Sequence, residues 1–345
     1  MKNIIVRAVT ATVMVCVLYG CQEGLAEKEF SSSPTENFDA LWKILDERYC
    51  YFGTKGIDWD SVYREYYPRL STVYTVYDLF DLMADMINTL DDGHVNLYAP
   101  FDVSSCPTWY TSYPTNYNSS LIYSPRYLGS DYRIAGGMYY NTIGEKKDIG
   151  YIRYESFSSG FGASNLWYID KYFAECKGII IDVRHNGGGS LSYSESLAAC
   201  FFSEETLTGY IRHKTGPGHE EFSDPVEVST SPADAPIDWS GRKVVVLCNR
   251  RSYSATNDFV VRCLQAPNVT VIGGRTGGGG GMPLSQELPI GWMVRFSAVP
   301  MYDADMQTTE FGVEPDESVT LEESDVERGY DTIIERAMEI INGEA

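Results

Sequence analysis

Positive charge is scarce in this chain: 27 Lys and Arg residues stand against 48 Asp and Glu, a formal net charge of −21. Such a surface repels phosphate backbones and anionic headgroups, so nucleic acid is an unsuitable partner and the acidity reads as solubility. Histidine is rarer still, with only His94, His185, His213 and His219, and lysine is missing altogether after Lys243. The eight cysteines contain no CxxC pair, so the usual zinc spacing is absent, and nothing implies a metal or organic cofactor. Cys176, Cys200, Cys248 and Cys263 sit in or beside apolar stretches and read as buried thiols rather than a disulfide framework. Long apolar runs are also wanting, since the one near the N-terminus, from Ala8 to Leu18, is too short to span a bilayer.

That run follows Lys2 and Arg7 and has the layout of a secretion signal. It stops at Leu18-Tyr19-Gly20-Cys21, which resembles the bacterial lipobox. The expectation is therefore a signal segment over 1–21, lipid anchoring through Cys21, a polar tether over 22–34 and a bacterial cell-envelope location. In this reading the membrane is a partner only through the lipid.

With 43% hydrophobic residues, the rest can build one large domain or two smaller ones. Phe38, Leu41, Trp42 and Leu45 recur at helical spacing. Thr75 to Asp78 has the form of a capping box, and it opens a stripe of Leu79, Leu82, Met83, Met86, Ile87 and Leu90 that stops at Asp91-Asp92-Gly93. A helical subdomain is expected over 35–98. Residues 99–147, rich in Tyr, Ser and Pro, read as a surface insertion of loops and short strands, and 148–345 as an α/β domain. In that domain Gly178–Val183 and Lys243–Cys248 read as buried strands, Ala255–Leu264 as a helix, and about 325–341 as one closing helix. Thr215–Trp239 reads as a polar excursion.

Three turns fall where strands end, the place at which open α/β sheets gather reactive groups. Arg184-His185-Asn186-Gly187-Gly188-Gly189 lets backbone N–H groups come close to a substrate oxygen. Ser252-Tyr253-Ser254-Ala255 sets a serine hydroxyl at a helix N-terminus, where free N–H groups stabilise an anion. A single serine there is equally an ordinary helix cap. Gly273-Gly274-Arg275-Thr276 runs into five glycines, Gly277 to Gly281, and alone is only a flexible loop.

In order and spacing these turns resemble the tail-specific (C-terminal-processing) serine peptidases. Asp182-Val183-Arg184-His185-Asn186-Gly187-Gly188 matches the family's Asp-x-Arg-x-Asn-Gly-Gly, and Ser254-Ala255-Thr256-Asn257 its Ser-Ala-x-Glu/Asn. Gly273 to Gly278 matches Gly-x-x-Thr-x-Gly, and Gly312-Val313-Glu314-Pro315-Asp316 matches Gly-Val-x-Pro-Asp. The resemblance implies a crotonase/ClpP-like α/β spiral core preceded by a small helical N-terminal subdomain. It also implies a peptide or protein substrate, Ser254 as nucleophile, and an oxyanion site from Ala255 with Gly187 or Gly188. In the bacterial enzymes of the family a lysine activates the serine, but Gly279 occupies its place here. The branch typified by the tricorn core protease uses a histidine and a glutamate instead, for which His94 and Glu310 are the matches, with Thr309 competing for the second. Asp91 or Asp92 could orient His94, and Gly93 stands where that branch has a serine. The rival reading is a catalytically degenerate relative that binds a peptide or other ligand in the same cleft.

Overall fold

The computed structural model describes residues 32–234 and 237–344. The signal segment, Cys21 and most of the tether lie outside the described residues. Ser33 caps α1 (Pro34–Arg48), with Pro34 at the position where a missing N–H costs nothing. The capping box of Thr75 and Asp78 opens α3 (Val76–Asn88), and between them lies α2 (Trp59–Tyr66). Phe38, Leu41, Leu45, Leu79, Met83 and Met86 form one core with Trp59. This core is not sealed by helices alone. Val294, Phe296 and Ala298, from a strand 200 residues further on, complete it.

The main sheet has seven strands, in the order β12 (Glu317–Ser318), β9 (Val269–Gly273), β8 (Lys243–Cys248), β5 (Gly178–Asp182), β4 (Ile149–Tyr154), β3 (Met138–Ile143) and β2 (Arg133–Ala135). Its first five strands run parallel and the last two antiparallel. The central strands are apolar throughout because both faces are covered. Ile179 and Ile181 face a core shared with α4 (Ala163–Tyr172), α5 (Leu191–Ala198) and α6 (Ala255–Cys263), whereas Ile180 faces α7 (Thr332–Asn342). A second sheet orders β1 (Asn96–Tyr98), β11 (Met293–Tyr302), β6 (Thr206–Ile211) and β7 (Val226–Thr230), with β10 (Gly281–Glu287) also paired to β11.

Three expectations need correction. The segment 99–147 carries the short strands expected of it, but they are not confined to the surface, since β3 pairs antiparallel with β4 and β2 with β3, and Met138 and Ile143 are buried. The polar excursion carries β7, which pairs with β6. The closing helix is two pieces, Glu323–Glu327 and α7, separated at Gly329, whose φ of +83° ends a helical turn.

Beneath the sheet's C-terminal edge lies a buried ion network. Arg184, with no exposed surface, meets Asp182 at 2.6 Å and Asp331 at 3.0 Å, and Asp331 also caps α7 by accepting from Ile333 and Ile334 N–H. Arg184→Met is expected to leave buried Asp331 without its guanidinium and Asp182 with only the more distant Arg153 at 3.7 Å, and to cost about 3–5 kcal/mol, read as a lower urea midpoint.

Candidate active site

Strand β8 ends at Cys248, and the chain reaches α6 through Ser254, whose φ of 59° and ψ of −121° lie outside ordinary space for a residue with a side chain. Such a conformation costs on the order of 1–3 kcal/mol and persists because neighbours enforce it. Ser254 N–H donates to Gly278 O at 2.8 Å and Tyr253 N–H to Asn186 O at 3.1 Å, so the adjacent glycine turns clamp the serine from both sides. The Asn186 side chain extends the clamp, with Oδ1 accepting from Gly188 N–H (3.0 Å) and from the Thr256 hydroxyl (2.7 Å). The Gly188 N–H is therefore committed to Asn186. Gly187 N–H and Ala255 N–H donate to no group among the described residues.

His94 arrives from the helical subdomain. Beyond α3 the chain turns through Asp91, at φ 44°, and Asp92. The buried Asp92 carboxylate accepts from His94 N–H (2.7 Å), Tyr49 Oη (3.0 Å) and Ser297 Oγ (2.9 Å). This fixes the backbone so that His94 Nε2 lies 2.9 Å from Ser254 Oγ. The ring is 2% exposed and leans on Tyr253, with centroids 4.9 Å apart. Burial, helped by the charges of Arg295 and Lys55, pushes its pKa down to about 4 against the opposing pull of Asp92, leaving a neutral imidazole at physiological pH. Its Nδ1 makes no well-formed hydrogen bond among the described residues.

The orienting carboxylates differ from expectation. Asp92 holds the His94 backbone rather than the ring, and Asp91 accepts from Thr108 and Cys106. Glu310 does not bond the ring either. Its Oε1 lies 2.8 Å from Lys55 Nζ, which also donates to Asp91 O at 2.9 Å, while Oε2 is buried without a partner among the described residues. Burial first, then the Asp92 charge, raises the Glu310 carboxyl to about 8, with Lys55 restraining the rise. Thr309 turns back onto β11 through Met301 O, leaving Glu310 as the carboxyl in the site.

Lys55 was not legible as a site residue, because its four-residue helical turn carries no motif. Trp109, from the segment read as surface, stacks on Tyr253 at 4.1 Å and was missed for the same reason. Ser254 opens on a cleft of about 410 Å³ between the Gly189 loop, β6 and β10. Among the described residues no cluster of His, Cys, Asp and Glu is arranged to hold a metal ion, and the six cysteines there are free thiols.

The model of Peptidase family S41 matches residues 148–319, and that of the Tricorn protease C1 domain matches 30–88. A solved structure of a provisionally assigned peptidase from Parabacteroides merdae shares 49% identity over 90% of this chain and 97% of its own, with a TM-score of 0.84. This chain belongs to Peptidase family S41. More distant S41 structures share its fold. Mature CPAF complexed with lactacystin has 14% identity over 91% of this chain and 99% of that one (TM-score 0.66). The photosystem II D1 C-terminal processing protease has 16% over 86% and 96% (TM-score 0.51). No curated protein matches the sequence.

As an S41 chain without the lysine, it shows a steric reason for the loss. Gly279 has φ +72°, and a Cβ there would stand 2.7 Å from Tyr253 Cε2, inside the ring's own space. At Gly93 a Cβ would lie 2.6 Å from Trp109 Nε1 and 2.9 Å from Tyr253 Oη. The Tyr253–Trp109 stack thus fills the room that side chains at both positions would need. Gly279→Lys is accordingly expected to lose roughly 2–4 kcal/mol by overpacking and backbone strain, measured by chemical denaturation, and not to supply an amine to Ser254.

Proposed function

We propose that this S41 peptidase is of the serine type, with Ser254 as nucleophile and His94 as general base. The observation that carries the reading is the 2.9 Å contact between His94 Nε2 and Ser254 Oγ, made by a ring that is neutral at physiological pH. As the hydroxyl attacks a peptide carbonyl, its proton passes to Nε2, and the imidazolium later returns it to the leaving amine. The N–H groups of Gly187 and Ala255, one on a loop and one at the start of α6, are assigned to the developing oxyanion, to which the helix dipole also contributes. Water then releases the acyl group by the same route. Asp92 supports the imidazolium through its negative charge at short range, and Glu310 acts through the charge state of its cluster with Asp92 and Lys55. The substrate is a peptide or protein end. We further assign the chain to the cell envelope through a lipid on Cys21.

A fluorophosphonate probe is expected to label Ser254 in the full chain. Ser254→Ala should remove the label, and His94→Gln should slow labelling by about 10²–10⁴-fold. Persistent labelling of the Ser254→Ala chain, or none in the unaltered one, counts against the serine mechanism and leaves a binding cleft. Because the base must be unprotonated, kcat/KM should stay level from neutral pH to about 5 and fall as pH passes through about 4. A break near 6.5 instead would mean that His94 is not the desolvated base.

A further inference from the structure

The cleft beside Ser254 has two charged residues in its lining, Asp258 and Arg295. They are not equivalent. The Asp258 carboxylate is matched within the protein by Arg262 Nε at 3.0 Å and by the Ser194 hydroxyl. Arg295 has neither a side-chain hydrogen bond nor an ion pair with any described residue, although the chain carries an excess of 21 negative charges.

Strand alternation explains how the side chain comes to be there. Val294, Phe296 and Ala298 point into the helical core, so Arg295 and Ser297 occupy the other face of β11. Ser297 reaches Asp92 behind His94, and Arg295 stands on the same face and in the cleft wall. Its cross-strand partners, Asn96 and Ser285, carry no charge that could neutralise it. Arg295 and Ser254 line the same cleft, and the Arg295 charge acts on both His94 and Tyr253. The remaining walls carry no charge, combining apolar side chains such as Met282, Pro283, Ile211 and Val261 with neutral polar ones such as Ser190, Thr208 and Asn257. A guanidinium with no charge partner in the cleft binds a carboxylate with geometric specificity, through two parallel N–H···O bonds.

We propose that Arg295 is the specificity-determining residue of the cleft and takes a carboxylate of the bound peptide, supplied either by its free C-terminus or by an Asp or Glu side chain near the cleaved bond. The inference rests on the peptidase reading, but its test is a binding measurement that does not need turnover. Full-length Ser254→Ala chain is immobilised and offered N-acetyl hexapeptides of randomised sequence in three pools. These are free acids, C-terminal amides, and amides from which Asp and Glu are omitted, with retention scored by mass spectrometry. One of the carboxylate-bearing pools should be retained at least tenfold better than the amides without Asp and Glu. Preference for the free acids identifies the C-terminus as the source, and preference for the amides that keep Asp and Glu identifies the side chain. Adding Arg295→Gln should bring the ratio to within twofold of unity, and Arg295→Lys should restore part of it. Equal retention of all pools, retention of none, or a ratio that survives Arg295→Gln overturns the inference. Failure of fluorophosphonate to label the unaltered chain, with carboxylate selectivity intact, sinks the serine mechanism alone.

Discussion

Along β11 the side chains alternate between two environments, and the site depends on both. One face completes the core of the helical subdomain through Val294, Phe296 and Ala298. The other carries Ser297, whose hydroxyl holds the Asp92 carboxylate that in turn fixes the His94 backbone. Packing of the N-terminal helices and placement of the imidazole are therefore one event. A histidine 160 residues upstream of the serine is brought to 2.9 Å because β11 anchors the histidine turn through Asp92 while the two glycine turns anchor the serine. Apolar burial supplies the free energy, and three hydrogen bonds to one buried carboxylate supply the direction.

On the serine side, four separated sequence motifs become one bonded unit. Asn186 joins the glycine turn after β5 to the serine turn. The Thr276 hydroxyl donates to Asn257 Oδ1 at 2.6 Å and accepts from Val313 N–H at 2.7 Å, and Asp316 accepts from Val271 N–H in β9. Beneath them, the Arg184 network secures the end of β5 to α7. Small and polar residues at these positions thus serve to hold a strained serine, and one of the two glycine N–H groups is spent on that task.

Much of this was readable, but by two different routes. The capping box of α3, the buried strands β5 and β8 and the start of α6 follow from local pattern, since capping and apolar runs are written in adjacent residues. The pairing of His94 with Ser254 does not, because nothing in spacing reveals contact across 160 positions. It came through resemblance to a family. Residues outside any motif stayed hidden. Lys55, Trp109 and Arg295 matter through tertiary contact or its absence, and β2, β3, β6 and β10 are strands whose apolar alternation is blurred by Tyr, Thr and Gly. The interruption at Gly329 lay inside a stretch otherwise periodic enough to read as one helix.

The Tyr253–Trp109 stack bears on how such a site could change over time. Gly93 before His94, Gly279 in the third turn and the aromatic pair between them share a single volume, so none can be exchanged independently. Placing a longer side chain at 279 while Tyr253 remains fills that volume twice, and shrinking Tyr253 first leaves it empty around the imidazole. A side chain at 279 and the Tyr253 ring thus exclude one another, and exchange between the two arrangements passes through intermediates that are either overfilled or hollow.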